Sequence, residues 1–135
     1  MGPGRRVARQ GLIVAVLGAV LLAGIAVPAI GGKADVLKVA IVPNGAGAFD
    51  LSVTLRHADS GWDHYANRWE VMAPDGQILA VRTLAHPHVH EQPFTRSLRG
   101  VAIPPTMTWI RVRGHDLVHG LGGREVTVSV PHPPR

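Results

Sequence analysis

The sequence predicts an all-β fold, a seven-stranded antiparallel sandwich behind an N-terminal hydrophobic helix, on three observations. From Asp35 onward apolar and polar residues alternate, as they do in strands that keep one face in a core. Turn signals such as Pro74-Asp75-Gly76 and Pro104-Pro105 separate these runs. After residue 34 no stretch carries a helical period. A chain of 135 residues has room for one domain, divided here into a leader at 1–34, a sandwich at 35–131 and a tail at 132–135.

In the leader, Arg5, Arg6 and Arg9 precede an uncharged, almost wholly aliphatic stretch from Gly11 to Ile30. A basic segment followed by an apolar one is the pattern of a signal peptide, with small residues offering cleavage after Ala29 or Ala34. Left uncleaved, about 20 apolar residues suffice to cross a bilayer as a helix. The expected location is periplasmic or secreted in the first case, and anchored to the inner membrane by residues 11–30 in the second. Arg5-Arg6 is a weak twin-arginine hint, because Val7-Ala8-Arg9 follows it.

The strands follow in order. Leu37, Val39 and Ile41 alternate with Val36, Lys38 and Ala40; Leu51, Val53 and Leu55 alternate with Ser52, Thr54 and Arg56. A third strand runs from Tyr65 to Met72 with Trp69 and Val71 in phase, and the Pro74-Asp75-Gly76 turn returns the chain as a fourth, Ile78 to Leu84. Phe94 to Ile103, Thr108 to Arg113 and Glu125 to Val130 complete the set. Seven strands in about 100 residues match an immunoglobulin-like or fibronectin-like sandwich, without the Cys-Trp-Cys pattern of a true immunoglobulin domain.

Composition narrows the function classes. Apolar residues make up 46% of the chain and charged ones 17%, so it folds rather than remaining a solvated polyelectrolyte. The net charge of +5 is concentrated in the leader, since from Asp35 onward ten Lys and Arg face nine Asp and Glu. With no basic stripe left, no nucleic-acid partner is expected. The absence of cysteine removes disulfides, thiolate metal sites and cysteine nucleophiles.

Of eight histidines, seven lie in three connections: His57 and His64 after the second strand, His86, His88 and His90 after the fourth, His115 and His119 after the sixth. If successive strands alternate in direction, even-numbered connections share one end of the sandwich. Asp59, Asp63, Glu91 and Asp116 fall in the same loops. Imidazole and carboxylate suit borderline divalent ions, so a copper or zinc ion is the expected cofactor. The candidate ligands are His57, His64, His86, His88, His115 and His119. Asp59, Asp63, His90, Glu91, Arg96 and Asp116 are alternative ligands or acceptors that orient the imidazoles.

Other readings stand beside this one. His57 continues the core phase of Leu51, Val53 and Leu55, as a buried, hydrogen-bonded histidine would. The His, Asp, Tyr65 and Arg96 side chains could instead form a polar network that pins the loops. Ser60 between Asp59 and His64 lacks the strand-turn-helix setting of a nucleophile elbow, so no catalytic residue is assigned. The glycine-rich run Gly114 to Gly123 has no phosphate-loop lysine.

The segments His57-Ala-Asp-Ser-Gly-Trp-Asp-His-Tyr-Ala, Leu84-Ala-His-Pro-His-Val-His-Glu-Gln-Pro-Phe-Thr-Arg and His115-Asp-Leu-Val-His-Gly-Leu-Gly-Gly resemble those of a group of small exported bacterial proteins with histidine-rich loops. The likeness covers roughly residues 50 to 131 and implies export and a single domain. The expected function is an exported metal-binding protein, serving sequestration rather than turnover. A protein partner in the cell envelope, a non-metal binding module and a metal-dependent enzyme are the alternatives.

Overall fold

The computed structural model describes residues 32–134, so the hydrophobic leader to residue 31 and Arg135 lie outside the described residues. Seven strands follow in chain order: β1 (Asp35–Pro43), β2 (Ala48–Arg56), β3 (Ala66–Met72), β4 (Ile78–Thr83), β5 (Phe94–Ala102), β6 (Trp109–Asp116) and β7 (Val126–Ser129). They form two antiparallel sheets, a three-stranded one ordered β1-β2-β5 and a four-stranded one ordered β4-β3-β6-β7. Among the described residues there is no helix, and hence none long and apolar enough to cross a membrane.

Both sheets feed one core. Phe49, Leu51, Val53 and Leu55 of β2 present their inward faces to Trp69, Val71, Ile110 and Val112 of β3 and β6, all nearly or fully excluded from solvent. At about 25 cal/mol per Å² of apolar area removed from water, this shared layer is the main term holding a domain that has no disulfide.

The first strand departs from the expected phase. Val36 is fully buried, while Val39 and Ile41 pack against the core and Leu37 is only half-buried. A register irregularity against β2 between Val36 and Lys38 causes this. An extra residue in one strand shifts every side chain beyond it to the other face. The sixth strand also runs on through Gly114, His115 and Asp116, so His115 belongs to a strand rather than to a loop.

Strand direction gathers seven element ends at one pole. The registers pair Asp35 with Arg56, Leu55 with Phe94, Arg68 with Thr83, Ala66 with Asp116 and Val112 with Val126. The connections β2–β3, β4–β5 and β6–β7 therefore share this pole with the start of β1. Two hydrogen bonds tie β1 to the β6–β7 connection there: Val36 N donates to Arg124 O at 2.8 Å, and Arg124 N donates to the side-chain Oδ1 of Asp35 at 2.7 Å. Only glycine is tolerated at residue 123, where an added Cβ would stand 1.9 Å from Ala34 O. The last histidine, His132, sits at the other end, its ring edge-on to Phe49 and its Nε2 donating to Met107 O.

Candidate metal centre

Two buried aspartates frame the site, and each is fixed by backbone before it meets a histidine. Asp59 Oδ1 accepts from Ala66 N at the start of β3 (2.9 Å), and its Oδ2 accepts from His88 N in the β4–β5 loop (2.7 Å). Asp116 ends β6, and its Oδ1 accepts from Val118 N and His119 N (2.9 and 2.7 Å), capping the turn that follows. That turn closes with paired backbone bonds between Asp116 and Gly120, and Gly120 supplies the positive φ of 68° that it requires.

Between the aspartates lies His57, with no side-chain exposure. Its Nδ1 donates to Asp59 Oδ1 at 2.5 Å, which turns Nε2 toward Asp116. That Nε2 has no hydrogen-bond partner among the described residues and stands 3.9 Å from Asp116 Oδ2, which also has none. His64 brings a third such atom: its Nε2 lies 3.2 Å from Asp116 Oδ1, out of line for a hydrogen bond. The His57 and His64 rings meet edge-on at 4.8 Å.

One donor atom from each of His57, His64 and Asp116 lies within 4.8 Å of the other two. Zinc-ligand bonds of 2.0–2.2 Å in a tetrahedron put neighbouring donors about 3.4 Å apart. His64 Nε2 stands 3.2 Å from Asp116 Oδ1 and His57 Nε2 3.9 Å from Asp116 Oδ2, near that spacing though to different oxygens of the carboxylate. An Asp that orients the far nitrogen of a ligating imidazole is the usual support of such a ligand.

The electrostatics point the same way. Burial pushes the Asp59 carboxyl up, but the bonds from His57, His88 and Ala66 outweigh it and hold its pKa below the usual range. Burial likewise raises Asp116, and the His119 and Val118 amides, the His119 ring and the nearby His57 more than reverse it. Two ionised carboxylates thus sit at zero side-chain exposure, and among the described residues neither forms an ion pair with a lysine or arginine. A buried carboxylate oxygen without a hydrogen-bond partner is costly.

The other candidates lie as follows. His119 flanks the cluster, its Nδ1 3.3 Å from Asp116 Oδ1 and its ring 5.1 Å from that of His64. His88 stacks on Phe94 at 3.9 Å, and its Nε2 accepts from Arg96 at 2.9 Å, so this ring serves packing and the loop network. Burial first, then Arg96 and His86, lower the His88 pKa. Burial and then Arg68 do the same to His115, whose Nδ1 donates to Asn67 Oδ1 at 2.6 Å, outside the cluster. His86 is exposed and donates to Pro87 O; His90 and Asp63 are exposed as well; Glu91 pairs with Arg96. Gln92 was not apparent from sequence: it accepts from His57 N and donates to His88 O, and no spacing rule marks such a clip.

No protein-family model matches the chain, and no solved structure matches it. A protein of Halomicrobium mukohataei described as "Putative lipoprotein" is 42% identical over 97 residues, 72% of this chain. The chain spans about half of that relative's length (47%).

Proposed function

We propose that this protein is an exported metal-binding protein that holds one divalent transition ion, zinc or copper, between His57 Nε2, His64 Nε2 and Asp116. The observation that carries the reading is the convergence of three buried donor atoms, from His57, His64 and Asp116, none with a hydrogen-bond partner among the described residues, with the ionised Asp59 on the far side of the His57 ring. Asp59 orients His57, and His119 flanks Asp116 through its Nδ1. Sequestration, storage or delivery fits a site closed by imidazoles. If water took the fourth position instead, the same set would suit hydrolysis.

The leader pattern Arg5 to Ile30 and the lipoprotein named among its relatives support a cell-envelope location. A protein partner there would receive or supply the ion. The sheet order supports a sandwich of immunoglobulin or fibronectin type in which the fourth strand pairs with the third rather than joining the first sheet.

One observation favours a second reading, a metal-free network: Asp59 already accepts three hydrogen bonds. Melting curves separate the two. Zinc or copper at 100 times its dissociation constant should stabilise the fold by about 2.7 kcal/mol through mass action. The rise should disappear in His64→Ala and persist in His86→Ala. Unchanged melting with every divalent ion would leave only the network.

A further inference from the structure

The pole that carries the metal centre also carries an apolar tip. Trp62 (65% exposed), Leu117 (46%) and Val118 (59%) stand on the β2–β3 and β6–β7 connections. The two loops are joined, because Leu117 N donates to Tyr65 O, and the Trp62 ring meets Tyr65 edge-on at 5.7 Å. A large exposed aromatic and two exposed aliphatic side chains on two turns joined by a hydrogen bond make a surface shaped to leave water.

The chain enters the domain at this same pole. Ala34 is fully buried against Gly114 and Gly123, and Val36 is bonded to Arg124, so the entry point is fixed. The uncharged stretch Gly11 to Ile30 ends four residues before Ala34 is passed, and four residues reach at most about 14 Å. Where that stretch is retained as a membrane anchor, it keeps the pole beside the bilayer. Lys33, Arg56 and Arg124 are exposed here around a cavity of about 520 Å³; of the acids at this pole, Asp35 is engaged by Arg124 N, Glu91 pairs with Arg96 and Glu125 with Arg111, and Asp63 is exposed.

We propose that this pole rests on a phospholipid bilayer, with Trp62, Leu117 and Val118 in the interface and the three basic side chains near lipid phosphates. Tryptophan and branched aliphatics beside Lys and Arg are what the interfacial zone accepts, and a short tether from an apolar segment holds them there. The buried site of His57, His64 and Asp116 then lies at the pole that faces the membrane. The docking does not depend on whether that site takes a metal.

The test uses the full chain in phosphatidylcholine–phosphatidylglycerol vesicles whose acyl chains are brominated, which quench tryptophan only near contact. Trp109, 37% exposed at the opposite end of β6, is the internal control, and buried Trp69 is common background. In Trp109→Phe, bromination should remove at least half of the Trp62 emission, and adding Leu117→Asp with Val118→Asp should restore most of it. In Trp62→Phe, bromination should change little. The proposal is overturned if the chain does not float with vesicles, if both variants quench alike, or if Trp62 stays bright. Emission of Trp62 that instead shifts with protein concentration, unquenched, would overturn it in favour of a second copy.

Discussion

Asp59 and Asp116 hold opposite edges of the His57 ring, and their roles differ. Asp59 takes the ring proton and two backbone bonds, whereas Asp116 keeps one oxygen without a hydrogen-bond partner toward His57 and lies 3.2 Å from His64 through the other. Asp59→Asn should weaken zinc binding by about 10- to 100-fold without abolishing it, the size expected when the partner that orients a ligand is lost. A competition titration against a chelating dye reads that change. Elsewhere, Glu70 is buried at the centre of the four-stranded sheet between Arg113 Nε at 2.7 Å and Arg68 Nε at 2.9 Å. Burial raises its carboxyl, but the two guanidiniums outweigh it and hold the pKa below the usual 4.5. A carboxylate depressed in the folded state contributes stability that is fully present above its unfolded value and is lost as pH falls through the folded one. Urea midpoints of the parent should therefore drop below about pH 4.5 by more than those of Glu70→Gln, which at pH 7 should be about 1–2 kcal/mol less stable because the arginines are partly hydrated.

At the scale of elements, the β6–β7 connection and the start of β1 lock together through glycine. Gly123→Ala would drive a methyl into Ala34 O, so it should destabilise the domain by about 3 kcal/mol or more, read as a lower urea midpoint at unchanged slope. The strands were legible because period-two alternation reports a buried face, and β2 carries it without interruption from Phe49 to Leu55, with His57 just beyond in the same phase. The phase slip after Val36 was not, since a bulge arises from pairing with β2 rather than from its own residues. The C-terminal half of β6 was hidden for another reason: Gly114, His115 and Asp116 carry no apolar alternation, and Gly114 is in the strand because Ala34 packs where a side chain would be. The gathering of histidine loops followed from strand parity. Which rings converge did not, because His88 is turned aside by stacking on Phe94 and His115 by Asn67, contacts made across the fold.

Over the whole molecule, a two-sheet domain of about a hundred residues positions a polar cluster that its own hydrogen bonds do not complete. Apolar packing brings β2, β3 and β6 to one pole, their ends deliver His57, Ala66 N and Asp116, and loops add His64 and His88 N. Polar groups buried at that depth without partners cost stability unless something binds them. The central claim is that an ion does so at a single place. Calorimetric titration of zinc and of copper into the purified chain, and into the double variant His64→Ala with Asp116→Asn, tests this most directly. One equivalent should bind to the parent, and binding to the folded double variant should be at least 100-fold weaker. An affinity unaltered by the two substitutions, or no heat of specific binding from either ion in the parent, would contradict it.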